Sequence, residues 1–123
     1  MSAAPPDDIP PRTVAVSAEL RPIFARFLAI QNEHIAELES ALAARDGEAL
    51  CRLAHTIRGS AATFQLPEAA DMALALEETV ARADLAAAGR LIAALARYFH
   101  ETDIEFVAAP TKDATVASAK KSP

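Results

Sequence analysis

The sequence holds one cysteine, three glycines, one tyrosine and no tryptophan, and only 5% of it is aromatic. A lone Cys51 cannot build an internal disulfide framework, and it suits a reducing compartment, so a cytoplasmic location is expected. Three glycines cannot line a phosphate-binding loop or an ATP lid, so no ATP-binding or kinase domain is expected. No run of about 18 apolar residues occurs, which leaves no candidate membrane span. The start, Met1-Ser2-Ala3-Ala4-Pro5-Pro6-Asp7-Asp8, has neither the basic nor the apolar region of a signal peptide. A basic footprint is missing as well. Twelve Lys and Arg stand against 17 Asp and Glu, a formal net charge of −5, which speaks against general nucleic-acid binding.

What is present favours helices. The 123 residues amount to one domain, 52% are hydrophobic, and 31 are alanine. Four of the eight prolines fall in residues 1–16, which read as an extended or disordered leader. Residues 108–123 carry all three lysines and read as a disordered tail. In the stretch 17–107 only Pro22 and Pro67 interrupt, each placed for the first turn of a helix.

Apolar periodicity predicts four helices there. The first runs from Ser17 or Leu20 to Ala44, with Phe24, Phe27, Leu28, Gln31, Ile35, Leu38 and Leu42 on one stripe. It ends at the turn Arg45-Asp46-Gly47. The second covers about Glu48 to Phe64, with Leu50, Leu53, Ala54, Ile57, Ala61 and Phe64 inward. The third spans Pro67 to about Ala83. The fourth follows Asp84, a candidate N-cap, and carries Leu85, Ala88, Ile92, Leu95, Phe99 and Phe106. Short connections make successive helices antiparallel neighbours, so the expected fold class is all-α, an antiparallel up-and-down four-helix bundle with flexible tails.

Winding the second helix at 3.6 residues per turn puts His55 about 140–150° from the centre of its apolar stripe. His55 is thus expected on the surface, and its outward neighbours Arg52, Gly59, Ala62 and Thr63 are mostly small. Gly59 reads as the only glycine inside a strong helical pattern, where it costs about 1 kcal/mol relative to Ala. A glycine one turn after an exposed imidazole leaves room for an approaching surface. Arg52 and Arg58, at i−3 and i+3, would favour a dianionic phosphoryl group over a metal cation. Glu77, among small apolar residues of the third helix, needs a partner; it could accept the Nδ1–H of His55 and leave Nε2 with a free lone pair.

Other chemistry is less well supported. His34, His55 and His100 fall on three different helices without a His-x-x-x-His or Glu-x-x-His pair, so no metal site is expected. Cys51, at i−4 from His55, reads as a small packing residue near the flank of the stripe. His34 and His100 read as surface or boundary residues.

Together, Ala54-His55-Thr56-Ile57-Arg58-Gly59-Ser60-Ala61-Ala62, then Phe64-Gln65-Leu66, then Leu76-Glu77, resemble the signature of histidine-containing phosphotransfer (HPt) domains. In that family an acid or amide lies 22 positions after the histidine, the spacing from His55 to Glu77. The resemblance covers about residues 20–107. One departure is Gln65, where the family usually has a glycine that permits a left-handed cap.

The resemblance implies a phosphoryl carrier of a two-component phosphorelay, not an enzyme in its own right. His55 Nε2 would take the phosphoryl group from a receiver-domain aspartyl phosphate or a hybrid sensor histidine kinase and pass it to a response-regulator receiver. Glu77 would orient the imidazole, Arg58 and Arg52 would help electrostatically, and Gly59, Ala62, Thr63 and Leu66 would form the docking face. No cofactor is implied in this chain, since the receiver would supply Mg²⁺. The protein would be a cytoplasmic monomer that binds neither nucleic acid nor membrane. A different class remains open: an HPt-like helical adaptor or inhibitor that docks on a receiver or kinase without carrying phosphate. An exposed imidazole beside Gly59 and opposite Glu77 favours the carrier.

Overall fold

A computed structural model describes residues 13–108 of the chain. The chain runs through strand β1 (Thr13–Ser17), a 3₁₀ turn (Ala18–Leu20), helices α1 (Arg21–Ala43), α2 (Gly47–Thr63), α3 (Pro67–Ala81) and α4 (Leu85–Glu101), and strand β2 (Asp103–Val107). Each helix packs on its neighbours in sequence, and α1 also packs on α4, which closes the four-helix bundle. The contact between α2 and α3 is the most extensive.

The apolar stripes are the buried faces. In α2 the buried residues are Leu50, Leu53, Ala54, Ile57 and Ala61. In α1 they are Phe24, Phe27, Gln31, Ile35, Leu38 and Ala41, while Leu28 and Leu42 pack at the margin of the core. Pro22 and Pro67 sit in the first turns of α1 and α3, where the missing N–H leaves no helical hydrogen bond unmade.

The three interhelical connections repeat one device. Arg45, Gln65 and Ala83 have φ of 56°, 66° and 60°, the left-handed region, and none is glycine. After each, the chain closes back with paired bonds. Asp46 N–H donates to Ala41 O at 2.9 Å, Leu66 N–H to Ala61 O at 2.8 Å, and Asp84 N–H to Thr79 O at 2.9 Å. This is the Schellman arrangement, which satisfies the last carbonyls of a helix. Asp46 and Asp84 then cap the next helix, accepting from Ala49 N–H and Ala87 N–H, each at 3.1 Å. Gly47, read from the sequence as part of the turn, is instead the first residue of α2. A left-handed Ala is strained by its Cβ. Ala83→Gly is therefore expected to stabilise the fold by about 1 kcal/mol, read by urea denaturation; unchanged stability would show that Ala83 carries no strain.

Two segments depart from the sequence reading. Residues 13–16, assigned to the leader, belong to β1, and Phe106, assigned to the fourth helix, lies in β2 because α4 stops at Glu101. Thr102 turns extended, with φ −77° and ψ 128°, and Asp103-Ile104-Glu105-Phe106 alternates exposed and half-buried residues as a strand does. The two strands pair in parallel, Thr13 opposite Asp103 and Ser17 opposite Val107. Two short alternating stretches at opposite ends of a helical sequence carry no local sign that they will pair. The rest of the expected leader (residues 1–12) and the tail from residue 109 onward lie outside the described residues.

The sheet caps one end of the core. Val16 is fully buried, and all five phenylalanines gather beside it. Phe27 stacks on Phe64 at 4.1 Å between ring centroids, and Phe24 meets Phe27, Phe64 and Phe106 at 5.2, 5.9 and 5.4 Å. Phe99 completes the cluster, 6.1 Å from Phe27. Arg21 covers the outer face of Phe106 at 4.9 Å.

Candidate functional site

Near the middle of α2, opposite the buried stripe, stands His55. Its side chain is 70% exposed. Gly59, Ala62 and Thr63 are exposed on the same helix, so the surface around the ring is built of small residues. Thr56, beside it, turns its hydroxyl back to Arg52 O at 3.1 Å.

Gly59 is not the only helical glycine. Gly89 lies inside α4, and a Cβ there would meet Leu42 Cδ2 at 3.3 Å, so close packing of α1 on α4 accounts for it. A Cβ on Gly59 would meet nothing within 4 Å. Nothing in the fold itself asks for glycine at that position, which leaves the space above the helix as its physical effect.

The polar centre of the site joins α2 to α3. Arg58, one turn after His55, donates from Nε to Glu77 Oε2 at 2.7 Å, while its Nη2 lies 3.0 Å from His55 Nδ1. Glu77 is only 18% exposed, so its charge is matched by the guanidinium, as a half-buried carboxylate requires. The hydrogen bond and the negative charge of Glu77 hold the Arg58 guanidinium even more firmly protonated than usual.

In this geometry Glu77 stands near the imidazole without bonding to it directly. His55 Nδ1 and Glu77 Oε2 are 3.7 Å apart, too far for a hydrogen bond, because Arg58 reaches between them. A guanidinium only donates. A hydrogen bond from Nη2 therefore requires Nδ1 as the acceptor, which in a neutral ring puts the proton on Nε2. The three residues singled out from the sequence lie together, and the order of their bonds depends on how α2 packs on α3.

The remaining expected residues divide. Arg52 is exposed and lines a shallow groove between α1 and α2 with Glu37, Ser40 and Ala49. Leu66, expected on the docking face, is 1% exposed and belongs to the core. The left-handed turn at Gln65 folds Leu66 back onto the end of α2, as the residue after a Schellman cap commonly does. Cys51, expected to pack, is exposed. His34 is half-buried on α1 and His100 is exposed in the last turn of α4. Among the described residues no three His, Cys, Asp or Glu side chains gather as a metal cluster, and no helix is long and apolar enough to cross a membrane.

Gln65 shows what a non-glycine cap contributes. Its side-chain Oε1 accepts the Ser17 N–H at 2.8 Å, tying the end of α2 to the end of β1. A glycine would relieve the left-handed backbone and lose that bond. Sequence reasoning found the departure but not this role, because Ser17 lies 48 residues away.

Comparison with known proteins accords with this geometry. The family model described as Hpt domain matches residues 22–104. Comparison with curated proteins and with solved structures returned no match. The matched segment takes in all four helices, with His55, Arg58 and Glu77 among them, and the chain belongs to the Hpt domain family, whose role is phosphotransfer in two-component signalling.

Proposed function

We propose that this chain carries a phosphoryl group on His55 Nε2, accepting it from the aspartyl phosphate of a receiver domain or from a hybrid kinase and delivering it to the aspartate of another receiver. One observation carries the reading. The imidazole is 70% exposed while its Nδ1 edge faces the protein, which leaves the Nε2 edge of the ring as the one a partner can approach. Transfer between nitrogen and carboxylate oxygen is an in-line displacement, whose barrier depends on positioning and charge stabilisation. The Arg58 guanidinium, 3.0 Å from the ring, supplies positive charge for a dianionic phosphoryl group. Mg²⁺ belongs to the acidic pocket of the receiver. The docking face is the exposed strip of Gly59, Ala62 and Thr63, with Arg52 at its edge and without Leu66.

The test is incubation with a panel of phosphorylated receiver domains. The expected product is acid-labile and base-stable, as a phosphoramidate is, and forms with at least one receiver. A complete cellular set of receivers that bind yet transfer nothing would establish the adaptor reading instead. Clearance above Gly59 has its own check. Gly59→Gln is expected to stabilise the helix by up to about 1 kcal/mol, because a Cβ there meets nothing, and to slow transfer by obstructing the receiver. Unchanged transfer rates would remove clearance as the reason for glycine.

A further inference from the structure

The bond between Arg58 and His55 has a consequence for which state of the imidazole is stable. Arg58 Nη2 lies 3.0 Å from Nδ1 and can only donate, so the contact favours the tautomer in which Nε2 carries the ring proton and has no lone pair with which to attack. A nucleophilic Nε2 requires that proton on Nδ1. A protonated Nδ1 cannot face the Arg58 donor, but Glu77 Oε2 stands 3.7 Å away, within reach of a small side-chain rotation. The two partners of Nδ1 thus select opposite tautomers.

We propose that Arg58 is a positioning residue that latches His55 in its non-nucleophilic tautomer, and that transfer begins when Nδ1 exchanges Arg58 for Glu77. The proposal rests on His55 being the phosphoryl acceptor. Arg58 Nε already holds the same Glu77 oxygen at 2.7 Å, so the exchange needs a competing partner for the guanidinium. An incoming phosphoryl group is one, being dianionic and rich in acceptors. Solvent exchange then moves the ring proton from Nε2 to Nδ1, where Glu77 accepts it. The Nε2 lone pair forms the P–N bond as the P–O bond of the aspartyl phosphate breaks, and the electron pair leaves with the carboxylate. The ring is left as a phosphoimidazolium whose Nδ1–H faces Glu77.

The same latch acts on the product. Loss of the Nδ1 proton to water leaves a neutral phosphoimidazole, whose Nδ1 lone pair again fits the Arg58 donor. A neutral ring departs as imidazolide, a poor leaving group, so water attacks the phosphorus slowly. Reprotonation of Nδ1 against Glu77 restores a good leaving group for onward transfer. Arg58 therefore protects both ends of the cycle, and Glu77 opens both.

The tautomer is measurable without any phosphate. In ¹⁵N-histidine-labelled full-length chain at about pH 8.5, where imidazole is neutral, long-range proton–nitrogen spectra are expected to show His55 in the Nε2–H form alone. Arg58→Ala is expected to move it mainly to Nδ1–H, and Arg58→Ala with Glu77→Ala to return it to the mixture of an unrestrained histidine. In parallel, Arg58→Ala loaded from a phosphorylated receiver is expected to lose its label about tenfold faster than wild type, the worth of one charge-assisted hydrogen bond. An Nδ1–H wild type, or an Arg58→Ala chain with wild-type tautomer and lifetime, overturns the latch. Absence of label on wild type with the tautomer shift intact overturns the carrier reading instead. Circular dichroism of each variant separates both outcomes from unfolding.

Discussion

His55→Gln is expected to take no label from any phosphorylated receiver while melting within about 4 °C of wild type. The two halves of that result have separate causes. An amide nitrogen has no basic lone pair, so glutamine cannot accept the phosphoryl group. The side chain it replaces is 70% exposed and is tied to the protein through Arg58, and Arg58 keeps its shorter bond to Glu77 at 2.7 Å. Glutamine also suits a helix at least as well as histidine. Label transfer from phosphorylated receivers gives the first half, and thermal denaturation the second. Label on the variant would point to His34 or His100 as acceptor, and collapse of the fold would contradict the exposed position of His55.

The largest stability effect is expected at the opposite kind of position. Phe27→Ala is expected to cost about 3–5 kcal/mol, a large share of the roughly 5–15 kcal/mol that holds a domain of this size together. Phe27 is 4% exposed and contacts Phe64 at 4.1 Å, Phe24 at 5.2 Å and Phe99 at 6.1 Å. Its ring therefore joins α1 to the end of α2 and to α4, and truncation leaves a cavity that three helices border. The melting temperature is expected to fall by about 15 °C or more; a fall of only a few degrees would mean that the aromatic cluster repacks around the gap.

The candidate site and the aromatic core thus occupy different parts of the molecule. His55, Arg58 and Glu77 meet where α2 packs on α3, while the aromatic cluster joins the start of α1 to the ends of α2 and α4. The family signature serves both, since His55, Arg58, Gly59 and Glu77 form the candidate site while Ala54, Ile57, Ala61, Leu66 and Leu76 are buried in the core.

Much of this was legible in the sequence. The α2 stripe from Leu50 to Ala61 is the buried face, Asp46 and Asp84 cap the helices that follow them, and His55 faces outward. These depend on neighbours within one or two turns, and a 3.6-residue period is a local property. Tertiary structure alone decided the rest. Val14 and Ile104 become paired strand residues only because the closed bundle brings its two flanking segments side by side. Leu66 turns inward because Gln65 takes a left-handed backbone, and Gln65 holds it with help from an amide 48 residues away. Arg58, rather than Glu77, holds Nδ1. Spacing can bring three polar groups to one place, but which of them bond is settled by distances between two packed helices, and no periodicity encodes those.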